Sequence, residues 1–384
     1  MLTLAVFGFA ALFIVYVLIG YPLLAAAGAR WRSRPIEKRF GEHPSVSILL
    51  PVRNGEPWIR NKLESIAALN YPREQVEVLV VSDGSTDRTE EIARAFPLER
   101  LRVFSIPRGG KAAALNEALA HAAGEILLFT DVRQELDPEC LRHMVACFHD
   151  PAVGVVSGEL VIRDGRTREE SSTGLYWKYE KWIRKSLSRI DSMLGATGCL
   201  YAVRAESAMP LDEDTILDDV NLPLHAFFQG FRIILDDCAK AYDYPTSLKT
   251  EFRRKVRTQA GVFQTLRAFP ALLGPANRMW FHFVSHKLGR LLLPWALLAV
   301  LVSSFGLPEP LRTAVLIPQA LVYLLALADV WLPEAWGLKR WSSPVRTFVV
   351  LMVAALAAVS ILVVPRRVLW KETRIAARPS TPSA

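Results

Sequence analysis

Four short runs of strand-forming residues recur early in the chain, and each stops on polar residues before a segment that reads as a helix. They are Val46 to Val52, the stretch from Val76 that ends on Asp83, Leu101 to Ile106, and Glu125 to Thr130. Apolar runs this short, alternating with helices, are the mark of strands buried on both faces of a parallel sheet. In open sheets of that kind, ligands bind just beyond the carboxyl ends of the strands. The pattern restricts the chain to an α/β fold and names its functional rim. Asn54 and Glu56 follow the first run, Asp83 ends the second, Gly109-Gly110-Lys111 follow the third, and Asp131 follows the fourth.

Each rim residue has a local structural use to weigh against a ligand. Glu56 precedes Pro57 at the start of a helix, where an acidic residue complements the macrodipole. Asp87 with Glu90 has the spacing of a capping box, which gives Asp87 a structural task. Asp83 precedes the turn Gly84-Ser85-Thr86, has no such task, and is expected to face the crevice. Glycines ahead of the helix Ala112 to Ala123 leave its amides open to an anion, and Lys111 adds a charge there. The helix after Asp131 has its own cap, Asp137, with Pro138 at its first position. Two carboxylates and a lysine around a glycine-lined loop suit a polyphosphate held with a divalent cation. The absence of a G-x-G-x-x-G fingerprint speaks against a nicotinamide enzyme.

Further on, Val153 to Leu160 reads as a strand, and Leu175 to Ile190 as a helix. Its stripe Tyr176, Tyr179, Ile183, Leu187 and Ile190 fits core or membrane-interface packing. Gly195 to Gly198 reads as a flexible loop before a strand at Cys199 to Arg204. Asp218 and Asp219 then head an apolar helix, Val220 to Phe228. Capping accounts for one of this pair, and the other could act as a general base. Arg254 and Arg257 share one face of a later helix, as lipid-facing decoration or as a clamp for phosphate oxygens.

Leu2 to Leu24 carries no charge and is long enough to cross a hydrocarbon core of about 30 Å. It lacks a basic n-region and exceeds the length of an h-region, so it reads as an uncleaved anchor. Leu291 to Leu307, Ala314 to Leu332 and Phe348 to Val364 are further candidate spans. Arg30, Arg32, Arg34, Lys38 and Arg39 follow the first span and put the next domain on the cytoplasmic side of a multi-pass inner-membrane protein. The formal charge of +8 is then met by these bases and anionic lipid headgroups, and no nucleic acid is implied. Cys140, Cys147, Cys199 and Cys238 lack C-x-x-C spacing, so no zinc site or disulfide framework is expected. The expected organisation is an anchor at 1–28, a basic linker at 29–44, a cytoplasmic domain at 45–260, interfacial helices at 261–287, a membrane region of about three helices at 288–365, and a basic tail at 366–384. Three later spans would leave that tail outside, against the preference of Arg366, Arg367, Lys371, Arg374 and Arg378 for the cytoplasm. The Lys339, Arg340 and Arg346 loop fits the cytoplasmic side.

Taken together, the segment from Ser45 to Phe263 resembles the inverting family-two glycosyltransferases with a GT-A fold. That group includes dolichyl-phosphate sugar transferases and the cellulose and hyaluronan synthases. Ser47 to Glu56 looks like the family's opening strand and loop, whose acidic residue contacts the nucleoside. Ser82-Asp83-Gly84-Ser85-Thr86-Asp87 is close to its base-binding aspartate motif, and Gly110-Lys111 to the segment whose lysine lies near the diphosphate. Thr130-Asp131-Val132-Arg133 stands where the family has its D-x-D metal motif, with Arg133 in place of the second carboxylate. Leu217-Asp218-Asp219 looks like the T-E-D element and selects Asp219 as the base. Arg254 to Thr258 falls where processive members carry Q-x-x-R-W, with only Arg257 matching.

The resemblance implies a GT-A domain with a mixed, mostly parallel sheet, joined to N- and C-terminal transmembrane helices. It implies transfer of a sugar from a nucleotide-diphosphate sugar to a lipid-linked or glycan acceptor, with Mg²⁺ or Mn²⁺ at Asp131. Asn54, Glu56, Asp83, Lys111, Arg254 and Arg257 would bind the donor, Asp219 would be catalytic, and Asp218 and Arg133 would support the acceptor or the site's surroundings. The alternatives are a processive polysaccharide synthase, which the incomplete Q-x-x-R-W opposes, and an inactive nucleotide-binding scaffold. Partners are the donor, the acceptor and membrane lipids.

Overall fold

A computed structural model describes residues 1–163, 168–244, 247–333 and 335–362. The chain divides into two compact units. One holds the described residues of Arg34–Arg163 and Asp191–Asp243, the other those of Met1–Ser33, Asp164–Ile190 and Tyr244–Leu369.

The first unit is built on an eight-stranded sheet of order β3-β2-β1-β4-β7-β6-β8-β5. The strands are β1 (Val46–Val52), β2 (Val76–Asp83), β3 (Leu101–Ile106), β4 (Ile126–Thr130), β5 (Glu135–Leu136), β6 (Val153–Ile162), β7 (Leu200–Arg204) and β8 (Arg232–Asp243). The four runs that opened the sequence are parallel neighbours, with Val46 opposite both Val76 and Ile126, and Asp83 opposite Ile106. Antiparallel β7 follows β4, and β8 lies parallel to β6, so the sheet is mixed. Both faces are covered, as the uninterrupted apolar runs require. Ile48, Leu50, Val78, Val80 and Leu128 meet Ile59, Leu63 and Ile66 of the helix Glu56–Ala67 in one core. The other face takes the helix Lys111–His121, whose buried face is Ala112, Ala114, Leu115 and Ala118; its small side chains let the helix lie close to β1 and β2.

Two strands have no counterpart in the sequence reading. β8 is interrupted by Asp236-Asp237, which reads as a break, and the chain absorbs it as an irregularity: Leu235 pairs with Ser157, and pairing resumes at Lys240 with Glu159. Asp236 is satisfied there by Lys38 Nζ at 2.8 Å, the Cys238 amide at 3.0 Å and Cys147 Sγ at 3.4 Å. β5 spans only Glu135–Leu136, too short to carry a periodicity.

In the other unit, four helices among the described residues are long and apolar enough to cross a membrane: Leu2–Trp31, Trp280–Ser304, Leu311–Ala328 and Lys339–Ser360. The second begins well before Leu291, because His282, His286, Lys287 and Arg290 dilute the hydropathy of its first turns. Arg290 pairs with Glu180, which His286 Nε2 also approaches at 3.6 Å. The helices Arg168–Ile190 and Leu248–Ala268, which the sequence grouped with the cytoplasmic domain, belong to this unit. In the stripe of the former, Ile183 and Leu187 are buried and Tyr179 Oη donates to the Leu18 carbonyl, while the Tyr176 side chain lies outside the described residues. Lys339 and Arg346 are also less available than their charge suggests, since both pair with buried Asp329. The basic tail lies outside the described residues.

Candidate active site

The rim begins with two interlocked loops. Asn54 sits at φ 47°, a left-handed conformation that Asn tolerates better than most residues, and this turns the chain sharply after β1. Its Oδ1 accepts from the Thr86 amide at 2.8 Å, and its own amide donates to Ser85 Oγ at 3.1 Å. Glu56 and Asp87 bind reciprocally: the Glu56 amide donates to Asp87 Oδ2, and the Arg88 amide donates to Glu56 Oε2, each at 3.1 Å. Asp87 Oδ1 also accepts from the Thr89 amide at 3.1 Å. Burial raises the Asp87 pKa, but the Thr89 hydroxyl and these amides outweigh it and hold the carboxyl below its usual value. The expected capping box is not formed: Asp87 accepts from the Thr89 amide and not from that of Glu90, and the Glu90 side chain accepts from Ser105 Oγ at 2.5 Å.

Asp83 does have a structural task. Its Oδ1 accepts from the amides of Gly109 at 2.6 Å and Gly110 at 2.9 Å, and the residue is 6% exposed. Gly110 has φ 94°, which favours glycine, and it is this turn that presents the two amides to β2. The glycine amides read from sequence as open to an anion are thus held by a carboxylate of the protein itself.

Lys111, the next residue, gathers the carboxylates. Its Nζ lies 2.9 Å from Asp131 Oδ1 and 3.1 Å from Asp218 Oδ1. Burial works against the ammonium charge, yet Asp131, Asp218 and Asp219 together raise the Lys111 pKa above the ordinary lysine value. Asp218 Oδ2 accepts from Tyr201 Oη at 3.1 Å, and the Tyr201 ring stacks on Phe129 of β4 at 4.6 Å. Burial and Asp218 in turn push the Tyr201 phenol well above its usual pKa, so it stays a donor. Asp219 lies against the loop before β7. Its carbonyl accepts from the Ala196 amide at 2.7 Å, and a Cβ on Gly198 would stand 3.0 Å from Asp219 Oδ2. No residue larger than glycine fits at 198 without displacing that carboxylate.

Arg133 pairs with Asp243 at the end of β8, where Gln134 Nε2 also donates to Asp243 Oδ2 at 2.9 Å. Arg254 and Arg257 lie on Leu248–Ala268, outside the first unit, with Arg254 bound to Glu251 at 3.0 Å. The first unit therefore brings Lys111, Asp131, Asp218 and Asp219 together, with Asp83, Asn54 and Glu56 in the loops of the same rim.

The sequence reading missed Lys62, Thr130 and Tyr201. Lys62 had a legible signal. It falls at helical spacing with Ile59, Leu63 and Ile66, a charge in the middle of an apolar face, and it is 1% exposed. Tyr201 and Thr130 had none, since apolar strands carry such residues freely.

The family described as "Glycosyl transferase family 2" matches residues 47–209, and "Glycosyl transferase family group 2" matches residues 131–361. A beta-monoglucosyldiacylglycerol synthase of a Nostoc species is 29% identical over 218 residues, 53% of this chain and 44% of that protein. An N-acetylglucosaminyltransferase of Rhizobium meliloti is 28% identical over 289 residues, 68% of this chain and 65% of that one. The chain spans about half the length of the curated relatives it matches. Among solved structures, the mannosyltransferase of Pyrobaculum calidifontis in complex with GDP-Man and Mn²⁺ is 25% identical at a TM-score of 0.73, over 93% of this chain and 99% of that one.

Proposed function

The chain belongs to glycosyl transferase family group 2, and from that premise we propose that it transfers a sugar from a nucleoside diphosphate sugar to a hydroxyl acceptor with inversion at the anomeric carbon. The acceptor is lipid-linked or a glycan, and the reaction takes place at the cytoplasmic face of the inner membrane. The observation that carries this reading is the meeting of Asp131, Asp218 and Asp219 around Lys111 beyond the ends of parallel strands. The four apolar helices support a membrane-borne acceptor. The likeness to a mannosyltransferase solved with GDP-Man and Mn²⁺ supports a nucleoside diphosphate donor used with a divalent cation.

Asp219 takes the proton of the acceptor hydroxyl as that oxygen bonds to C1. The C1–O bond to the diphosphate breaks, and its electron pair leaves on the nucleoside diphosphate. Asp218 is held by Lys111 and by the Tyr201 hydroxyl, each at 3.1 Å. Lys111 stands ready to exchange its carboxylate partners for phosphate oxygens. Asn54, Glu56 and Asp83 shape the loops that receive the nucleoside.

The residues fit a divalent cation, with one difference from the usual pair of carboxylates. Asp131 offers a hard oxygen at the rim with 39% of its side chain exposed, while Arg133 offers no oxygen and pairs with Asp243. One carboxylate plus substrate phosphates is a ligand set Mg²⁺ or Mn²⁺ accepts. Held there, the ion supplies positive charge to the leaving diphosphate.

Purified protein should release nucleotide from one member of a panel of nucleotide sugars, with Mn²⁺ or Mg²⁺ and a lipid or glycan acceptor present. Failure to bind or turn over any of the panel, in a preparation that melts cooperatively, would reject the reading.

A further inference from the structure

Lys62 is a fully buried lysine on the helix Glu56–Ala67, and its side chain rises into the end of β4. Its Nζ donates to Thr130 Oγ1 at 2.6 Å and to the Gln134 carbonyl at 2.7 Å. One nitrogen therefore staples both ends of the loop that carries Asp131, Val132 and Arg133. Thr130 Oγ1, having accepted from Lys62, turns its own proton to the Cys199 carbonyl at 2.8 Å. An ammonium cannot accept, so the direction of this chain is fixed: Lys62 donates to Thr130, and Thr130 donates to Cys199. Cys199 follows Gly198, the residue against which the Asp219 carboxylate lies. A second chain pins the same segment, in which the Thr197 amide donates to Ser157 Oγ at 2.9 Å.

We propose that Lys62 is a positioning residue for the sugar transfer. By stapling Thr130 to Gln134 and polarising Thr130 toward Cys199, it sets the loop of the cation-holding carboxylate Asp131 in register with the segment that supports Asp219. The inference rests on the function proposed above.

A purely structural use for Lys62 is poorly served by its chemistry. Among the described residues no carboxylate pairs with it, and burial pulls its pKa down to about 8. A methionine of similar length would fill the same space without the desolvation penalty of a buried ammonium. Asp131 is also among the charges that act on Lys62, which places the ammonium within electrostatic reach of the rim. Groups that orient a metal-binding carboxylate affect metal affinity or activity about 10- to 100-fold when removed.

The test uses the full chain purified in detergent, with Mn²⁺ titrated in the presence of GDP or UDP and free Mn²⁺ followed by electron paramagnetic resonance. Lys62→Met and Thr130→Val should each weaken Mn²⁺ uptake with the nucleotide about 10- to 100-fold, with melting temperature held within about 3 °C of wild type. Thr130→Ser, which keeps the hydroxyl, should bind Mn²⁺ as wild type does. Unchanged Mn²⁺ affinity in both disruptive variants overturns the proposal, as does an affinity loss that tracks a loss of folded protein. If Lys62→Met does not fold, Thr130→Val carries the comparison alone. If wild type takes up no Mn²⁺ in the presence of either GDP or UDP, the cation-holding role of Asp131 fails and this inference with it, whereas failure with the whole panel of nucleotide sugars rejects the proposed function itself; both outcomes are visible before any variant is compared.

Discussion

The guanidinium of Arg133, two residues after Asp131, is paired with Asp243 on β8. Asp243 is 3% exposed, and its other donor on the loop is Gln134. The loop is thus held from one side by the buried Lys62 and from the other by a buried carboxylate. Position 133 has been given to the loop's anchorage.

A carboxylate at position 133 should therefore harm the protein. Arg133→Asp removes the partner of a buried carboxylate and sets a like charge beside it. Breaking such a pair costs about 3–5 kcal/mol. The expected outcome is a clear drop in the denaturation midpoint with no gain in Mn²⁺ affinity. Tighter Mn²⁺ binding by a stably folded Arg133→Asp protein would show that a second carboxylate at this position reaches the cation.

Asp219→Asn keeps the shape that packs on Gly198 but cannot take a proton. Turnover should fall at least about a hundredfold, while nucleotide affinity stays within about twofold. Measuring kcat and the donor dissociation constant side by side checks this, and near-normal kcat would move the base elsewhere.

Asp83 holds two amides through one oxygen, so its removal should be felt in stability as well as binding. Asp83→Ala leaves the Gly109 and Gly110 amides without that acceptor and should destabilise the fold by about 1–3 kcal/mol. Asp83→Asn retains an oxygen to accept them and should lose much less. Thermal melts of the pair decide the matter: equal losses would mean that the charge, and not the acceptor, holds the turn.

Lys62 gives the fold a pH dependence of definite sign. Its pKa is about 8 when folded and 10.5 as an ordinary lysine, so between those values the unfolded chain binds more protons than the folded one. Stability contributed through this group must then rise with pH across that window. The difference in melting temperature between Lys62→Met and wild type should accordingly shift in favour of wild type between pH 8 and pH 10.5. A shift in the opposite direction would mean that the buried ammonium is stabilised rather than strained by its surroundings.

Much of the scaffold was legible because it depends on local pattern. Strands buried on both faces must be apolar throughout, which is why β1 to β4 could be read to within a residue or so. β8 escaped because Asp236 and Asp237 look like a break, and only the contacts of Lys38, Cys147 and the Cys238 amide make a buried carboxylate tolerable there. The second membrane-length helix was read short for a similar reason. Charges such as Arg290 lower the hydropathy of a window, while their pairing with Glu180 is a relation between residues far apart in sequence.

By itself the sequence determined that parallel strands would end on Asn54, Asp83, Lys111 and Asp131, since strand periodicity and chain direction fix which residues reach the rim. It also determined the family, through motifs whose order and spacing survive in one dimension. The tertiary structure decided what those residues hold: Asp83 the glycine amides, Lys111 the carboxylates Asp131 and Asp218, Arg133 a buried aspartate, and Lys62 the loop between Thr130 and Gln134. Hydrogen bonds and ion pairs are settled by distances of a few ångströms between groups tens of residues apart, and no local pattern records which partner a buried polar group will meet.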